Sequence, residues 1–334
     1  MMGALDRVRQ KAREEKIPLT MHFDLTYRCH QRCLHCYLPE SWRHGKGPGA
    51  ELNTGQVKRI LDQLAEAGTF FLTFSGGEIF LRPDLFRILE YACSLKFCVS
   101  LMTSGSFDLE KEKVRDLREI GVSRLRVSLY SLNAAIHDRV TGMPGSLARM
   151  MGFVEECRAQ GMFLAFNSIA LKINYRQVPE MRAFASREKI PYLLDDNLVP
   201  RWDGQPHPPG LALEPEEKSF YELSTSAEQL RGSAIVPLEA ELPGCGAGSN
   251  SGYITPQGEL WPCIDIPWPC ARLDNNNNGN FLALWQNSWV LKLVRDLQLQ
   301  SFTHDERLCD YLRRDEIMAM HFPFNQSKKA RASR

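Results

Sequence analysis

Short apolar runs alternate with amphipathic helical patterns from residue 19 to about residue 199 of this chain. The apolar runs are rich in Val, Ile, Leu and Phe and have the length of buried strands. They predict strands over 19–25, 69–75, 97–103, 124–131, 162–171 and 191–198. The helical spacing of apolar residues between them predicts helices over 54–67, 83–95, 108–120, 146–160 and 175–189.

Strand–helix units joined by short connections build a parallel sheet through right-handed crossovers. The sequence therefore predicts an α/β fold, a partial (β/α)6 TIM-like barrel followed by a small irregular C-terminal domain. In such barrels the active site lies at the carboxyl ends of the strands. Reactive or polar residues directly after the predicted strands are therefore candidates for the active site.

The pattern changes after residue 200, where a Pro- and Gly-rich connection begins. We expect an N-terminal helix at 1–18, the barrel at 19–200, a linker and helix at 201–242, and a C-terminal domain at 243–334. Within the last two segments, the sequence predicts a helix over 214–230 and short strands over 251–255 and 259–262.

Composition narrows the class of protein. The chain has 334 residues, 43% of them hydrophobic and 24% charged, as in ordinary globular enzymes. Its net charge of +1 favours neither nucleic acid nor membrane as a partner, and the basic residues at 328–334 are interpreted as a solvated tail. No apolar run reaches the ~18 residues of a membrane span, and no secretory signal opens the chain. We expect a cytoplasmic location.

The ten cysteines are unevenly distributed. Cys93, Cys98 and Cys157 fall in apolar patterns and are interpreted as small buried hydrophobes. Cys29, Cys33 and Cys36 form a C-x3-C-x2-C motif directly after the first strand. Three thiolates on one loop can bind three irons of a cubane cluster and leave the fourth iron open for a substrate or cofactor. The sequence therefore predicts an iron site at the end of the first strand.

Small and polar residues follow the next strands. Gly76, Gly77 and Glu78 follow the second strand, where the glycines let a ligand approach the backbone and the carboxylate can accept from a ligand ammonium. Ser104 follows the third strand and Ser128 lies on the fourth. Each residue alone has a structural explanation, but together they are expected to line one site.

The cysteine motif followed by Gly-Gly-Glu resembles the radical S-adenosylmethionine (SAM) superfamily over about residues 19–200. The resemblance implies a [4Fe–4S] cluster on the three cysteines, SAM bound to its open iron, and cleavage of SAM to a 5′-deoxyadenosyl radical. It assigns Gly76, Gly77 and Glu78 to the methionyl part of SAM, and Ser104 and Ser128 to its ribose or carboxylate. Arg149 is a further candidate for the carboxylate, and its alternative interpretation is a surface helix residue. The family commonly has Thr-Asn-Gly where this chain has Thr-Ser-Gly.

The C-terminal region resembles the SPASM and twitch extensions of these enzymes. This resemblance rests on Cys245, on the G-x4-C spacing that ends at Cys263, and on Cys309. The resemblance implies an auxiliary [4Fe–4S] cluster on these three residues and favours the shorter, twitch-like form. Cys270 is a candidate fourth ligand, and structural zinc is the rival interpretation of this group.

The segments 128–131, 137–142 and 145–146 resemble radical SAM/SPASM enzymes that modify ribosomally made peptides. Our leading hypothesis is peptide maturation by hydrogen abstraction. The alternatives are a small-molecule enzyme (sugar alcohol dehydrogenation, tetrapyrrole or cofactor biosynthesis) and a non-enzymatic iron–sulfur or zinc sensor. The segment before residue 19 is too short for a leader-binding domain, so we expect a peptide-binding partner or the C-terminal region to serve.

The reaction is expected to draw on a flavodoxin- or ferredoxin-like electron donor. The sequence marks no residue as the catalytic acid or base. Position alone suggests Tyr192, Asp195 and Asp196, at the last barrel strand.

Overall fold

The computed structural model describes residues 3–223, 245–273 and 280–298, together with Cys309. Its strands form a single open sheet. They are β1 (Thr20–Thr26), β2 (Phe71–Gly76), β3 (Cys98–Thr103), β4 (Arg124–Ser128), β5 (Leu164–Ile169), β6 (Tyr192–Asp195), β7 (Ser251–Ile254), β8 (Glu259–Trp261) and β9 (Ala271–Arg272). The order across the sheet is β6-β5-β4-β3-β2-β1-β7-β8-β9.

Helices connect and cover these strands. They are α1 (Ala4–Glu14), α2 (Glu40–Arg43), α3 (Thr54–Glu66), α4 (Leu85–Ser94), α5 (Lys111–Ile120), α6 (Ala134–Thr141), α7 (Ser146–Ala159), α8 (Val178–Arg187), α9 (Pro215–Leu223), α10 (Phe281–Asn287) and α11 (Trp289–Gln298). Short 3-10 turns occupy Ile79–Leu81 and Tyr175–Gln177. Within the described ranges, no helix combines the length and apolar character that crossing a membrane requires.

Alternation along the strands separates a helix-facing core from a polar interior. In β1, Met21, Phe23 and Leu25 belong to the main hydrophobic core. Successive side chains of a strand point to opposite faces, so His22 and Asp24 lie on the other, interior face. The interior face of β1 is therefore polar up to the point where the cysteine loop begins.

The predicted partial barrel is confirmed: β1 to β6 pair in parallel in the expected order, and the sheet does not close on itself. All six predicted barrel strands are present. The pattern over 175–189 divides into a 3-10 turn and α8. Helix α6 was not predicted, and the predicted helix over 214–230 lies beyond Leu223 outside the described residues.

The predicted C-terminal strands are also present, and they extend the barrel's sheet. Strand β7 pairs in parallel with β1, and β8 and β9 follow in antiparallel. Trp285 of α10 is fully buried in the main core, and its indole N–H donates to the Lys16 carbonyl over 2.7 Å. The C-terminal region thus packs directly against the start of the barrel.

Candidate active site

The cysteine loop leaves the end of β1 and is held by main-chain hydrogen bonds from two helices. The Cys29 N–H donates to the carbonyl of Arg43 at the end of α2 over 3.0 Å. The Leu34 N–H donates to Val140 in α6 over 2.9 Å, and the Arg32 N–H donates to Thr141 over 2.9 Å. Helix α6, which the sequence pattern did not reveal, therefore shapes this loop.

The three cysteines of the loop are half-buried, and their thiols are close enough to affect one another. Burial, followed by the charge of Glu78, raises the pKa of Cys29 to about 12. Burial and the thiols of Cys36 and Cys29 raise the pKa of Cys33 well above its usual range. Arg43 acts in the opposite direction on all three. A thiol that coordinates a metal is deprotonated outright, so iron rather than the protein would supply the charge that keeps them as thiolates.

Gly76 and Gly77 bring the end of β2 against the chain that enters the cysteine loop. The Gly77 N–H donates to the Thr26 carbonyl over 2.8 Å, and the Glu78 N–H donates to the Arg28 carbonyl over 2.7 Å. A Cβ at Gly76 would overlap the Thr26 carbonyl, and one at Gly77 would lie 2.6 Å from the Tyr27 carbonyl oxygen. The glycines thus permit a close approach between two backbone segments, whereas the sequence suggested the approach of a ligand.

The carboxylate of Glu78 is fully buried, and its hydrogen-bond donors among the described residues are uncharged. One oxygen accepts from the Thr103 hydroxyl over 2.8 Å and from the Phe80 N–H over 3.3 Å. The other accepts from the Ser104 N–H over 3.0 Å and from the Ser104 hydroxyl. Because these donors carry no charge, the negative charge stays available to a cationic ligand. Ser104, expected to touch SAM, is engaged in holding Glu78.

Hydrogen bonds run from Glu78 back to the cysteine loop. The Ser104 hydroxyl donates to Glu78, so it accepts from Ser106 at 3.1 Å. The Gln31 amide donates to the Ser106 oxygen over 2.7 Å, and the same amide accepts from the Cys33 thiol over 3.1 Å. The Ser106 proton is already used, so Nε2 of His30, 3.0 Å away, must be the donor in that contact.

This assignment leaves Nδ1 of His30 as a bare acceptor. It is buried, and no described residue forms a hydrogen bond with it. Burial, the largest cause, and the charge of Arg149 lower the pKa of His30 against the opposing charge of Glu78, which favours the neutral ring. Arg149 donates to the Pro144 carbonyl over 2.7 Å, and its Nε is buried with no partner in the described part of the chain. The structure therefore brings Arg149 towards the cysteine loop.

The remaining barrel candidates lie apart from one another. Ser128 shares a face of β4 with Arg126, opposite the core residues Leu125 and Val127. Asp195 accepts from the Asn197 N–H over 2.8 Å. Asp196 pairs with Lys218 over 2.9 Å. Tyr192 packs against the helix-side core and donates to the sulfur of Met181 over 3.9 Å, so it does not face the barrel interior.

Asp24 is an interior acid that sequence reasoning missed. It is fully buried and accepts from the Tyr253 hydroxyl over 2.6 Å and the Tyr37 hydroxyl over 3.4 Å. Nε2 of His22 lies 3.0 Å from its other oxygen. Tyr37 follows Cys36 directly and Tyr253 lies on β7, so this carboxylate joins the cysteine loop to the C-terminal strands. The apolar–polar alternation of β1 was the signal that could have indicated it.

A second group of thiols lies in the C-terminal region. The thiol of Cys263 interacts electrostatically with those of Cys245 and Cys309, and burial is the main cause that raises its pKa. Cys270 packs against the same small apolar cluster as Cys263 and Cys309, and its thiol donates to the Trp268 carbonyl over 3.4 Å. In the part of the chain that is described, no three His, Cys, Asp or Glu side chains are arranged to hold a single metal ion.

The geometry is that of a barrel enzyme with a thiol loop and a buried carboxylate at the strand ends. The sequence profile of the Radical SAM superfamily matches residues 23–185. A PqqA peptide cyclase from Rhodopseudomonas palustris is 32% identical over 297 residues, covering 84% of this chain and 76% of that protein. An AdoMet-dependent heme synthase from Methanosarcina barkeri is 27% identical over 304 residues, covering 84% and 85%.

Among solved structures, Streptococcus suis SuiB bound to S-adenosylmethionine shares the fold with a TM-score of 0.64. Its sequence identity is 16%, and the match covers 87% of this chain and 71% of that chain. The fold and the match to the PqqA peptide cyclase place the protein among SAM-dependent iron–sulfur enzymes. The chain belongs to the radical SAM superfamily and is an enzyme that uses a [4Fe–4S] cluster and SAM.

Proposed function

We propose that this enzyme abstracts hydrogen from a ribosomally made peptide, with its SAM-binding cluster on Cys29, Cys33 and Cys36. When bound, the reduced cluster supplies the electron that cleaves SAM to a 5′-deoxyadenosyl radical. The observation that carries the site assignment is the hydrogen-bond chain from the thiol loop to Glu78. That chain holds an uncompensated carboxylate beside the cluster ligands, where the SAM ammonium would bind.

The other residues of the site have separate roles in this proposal. Gly76 and Gly77 fix the position of Glu78 by their close approach to the β1 end. Nδ1 of His30 offers an acceptor to an N–H or O–H group of SAM, because it is buried without a partner. Arg149 is the cation for the SAM carboxylate, and Ser128 is a hydroxyl partner for the ribose.

A peptide is favoured as the substrate by the relatives. The PqqA peptide cyclase matches over most of its length, and SuiB has a structure bound to its precursor peptide SuiA. The AdoMet-dependent heme synthase, with 85% of its length covered, supports a tetrapyrrole as the second candidate. The two candidates can be told apart by mass spectrometry, because in one case the mass of the peptide changes and in the other that of the tetrapyrrole.

Further parts of the proposal concern the surroundings of the reaction. We place an auxiliary [4Fe–4S] cluster on Cys245, Cys263 and Cys309, because the thiols of Cys245 and Cys309 both act on that of Cys263. A flavodoxin- or ferredoxin-like protein would be the electron donor, and a separate peptide-binding protein would be a partner. The proposed location is the cytoplasm, which is where disulfides are disfavoured and iron-bound thiols persist.

The test is anaerobic turnover of the reconstituted enzyme with SAM, a reductant and short peptides encoded near its gene. We expect 5′-deoxyadenosine together with a peptide whose mass falls by about two hydrogens for each crosslink formed. A Cys29→Ala/Cys33→Ala/Cys36→Ala variant should form neither product. If the enzyme converted iron-coproporphyrin III and left the peptides unmodified, its substrate would be a tetrapyrrole and not a peptide. No 5′-deoxyadenosine under any condition would refute the proposal.

A further inference from the structure

The auxiliary site needs one more ligand than its three thiols supply. Cys263 and Cys309 pack against a small cluster of apolar side chains, and the thiols of Cys245 and Cys309 both act electrostatically on that of Cys263. The cluster consists of Ala247, Ile266, Trp268, Val290, Val294 and Leu297. A cubane cluster has four irons, so three thiolates leave one iron for another ligand. The question is which side chain of this chain reaches it.

Cys270, which the sequence suggests as the fourth ligand, already has a main-chain acceptor for its thiol. Its thiol donates to the Trp268 carbonyl over 3.4 Å and interacts with Ser288 and Arg295. Cys270 is half-buried between the main core and the small C-terminal core, and its thiol proton is directed to a main-chain carbonyl.

Asp265 lies next to the thiol of Cys263. The Ile266 N–H donates to the Cys263 carbonyl over 3.1 Å, which closes a four-residue turn with Asp265 at its third position. The turn brings one carboxylate oxygen of Asp265 to 4.0 Å from the Cys263 sulfur. The Asp265 N–H also donates to that sulfur. A carboxylate is thus built into the same turn as the central thiol.

A residue that follows the last barrel strand orients the Asp265 carboxylate. The side-chain amide of Asn197 donates to the second oxygen of Asp265 over 3.0 Å. Asn197 is 7% exposed and lies two residues after the end of β6, and its N–H donates to Asp195. One oxygen is held by the amide, while the other lies beside the Cys263 sulfur. This is the arrangement by which ligating carboxylates are usually fixed.

We propose that Asp265, and not Cys270, is the fourth ligand of the auxiliary cluster. This inference rests on the auxiliary cluster of the proposed function. A three-cysteine, one-carboxylate ligand set would leave no vacant iron for substrate. The carboxylate-bound iron would be the most exchangeable of the four, since an oxygen donor suits a thiolate-bound cluster less well than sulfur does.

The experiment uses the full-length chain with Cys29, Cys33 and Cys36 replaced by Ala, so that only the auxiliary cluster is observed. We expect about four irons per chain, on the basis of one cubane, in this parent and in its Cys270→Ala derivative, with the same reduced EPR spectrum. Asp265→Ala and Asp265→Asn should change that spectrum and make it respond to added cyanide. Asp265→Cys should remove the response to cyanide.

Two outcomes would overturn the assignment. One is a spectrum that Asp265→Ala and Asp265→Asn leave unchanged and indifferent to cyanide. The other is loss of the cluster or a new cyanide response in Cys270→Ala, with circular dichroism showing that the chain is folded. A parent without iron would overturn both this inference and the auxiliary cluster, and 5′-deoxyadenosine formation by the unmodified enzyme would show that the SAM site survives independently.

Discussion

The replacement Glu78→Gln tests the construction of the SAM site, because it is far from conservative at this position. Each oxygen of Glu78 accepts from one backbone N–H, that of Phe80 on one side and that of Ser104 on the other. A glutamine must turn its NH2 group towards one of them. A backbone N–H cannot rotate to become an acceptor, so either orientation opposes two donors in a fully buried site.

The expected magnitude follows from these contacts. An opposed, unsatisfied buried N–H costs about 1–3 kcal/mol, and the remaining bonds lose their charged acceptor, which is worth about 1.5–3 kcal/mol for a hydrogen bond of this kind. We expect the free energy of unfolding to fall by about 2–4 kcal/mol, since partial relaxation offsets some of the loss. Loss of the partner of the SAM ammonium should also raise the Kd for SAM by about 10- to 100-fold, or about 1.4–2.8 kcal/mol.

The assay is anaerobic urea unfolding of the iron-free chain, followed by SAM binding to reconstituted protein at equal iron content. Glu155→Gln, on the exposed side of α7, is the matched control and should stay within about 0.5 kcal/mol of the wild type. Ser104→Ala, which removes one donor to Glu78 and the acceptor for Ser106 but leaves the carboxylate in place, should fall between the two variants. Wild-type stability and SAM affinity in Glu78→Gln would refute the reasoning.

Three further predictions concern stability. Burial lowers the pKa of His137 to about 4, so between pH ~6.5 and ~4 the unfolded chain binds a proton that the folded chain does not. The unfolding free energy should therefore fall by up to about 3 kcal/mol as the pH drops through this range, and a His137→Gln variant should show a flatter pH profile. Gly77→Ala should cost about 1–3 kcal/mol by overlap with backbone carbonyls, whereas Gly152→Ala, with open space in a helix, should gain up to about 1 kcal/mol in urea unfolding. Arg82→Lys should lower the melting temperature, at about 1–3 kcal/mol for each buried carbonyl left unpaired, because Arg82 donates to two such carbonyls and to Asp84; an unchanged melting temperature would contradict this.

The barrel could be predicted because each of its strands is a local apolar run between helical patterns. Helix α6 escaped because its buried residues are few: His137, Val140 and Thr141. Signals for it were nevertheless present. Asn133 caps its start through the N–H groups of the first turn, and Gly142 ends it in a left-handed conformation. Cap residues carried more information here than hydrophobic spacing.

The cysteine motif could be predicted because its spacing is local, whereas the residues that organise it could not. Gln31 meets Ser106 across 75 positions of sequence, and Asp24 meets Tyr253 across 229. Contacts of this kind depend on how strands order themselves in the sheet. No pattern of residue types along the chain specifies such pairs, although the serine-rich end of β3 marks one of the two partners.

The amide of Gln31 links the state of the thiols to the position of Glu78. In the thiol form, Cys33 donates to the amide oxygen and the amide nitrogen donates to Ser106. A thiolate bound to iron has no proton to donate and instead needs a donor. The same amide would supply one after a half-turn, and its oxygen would then require a proton from Ser106, which is the proton that Ser104 accepts in the thiol form. Iron on Cys33 would therefore remove one of the two hydrogen bonds that the Ser104 hydroxyl accepts and leave the one from the Ser106 N–H, so the group that holds Glu78 would be less tightly fixed when the cluster is present.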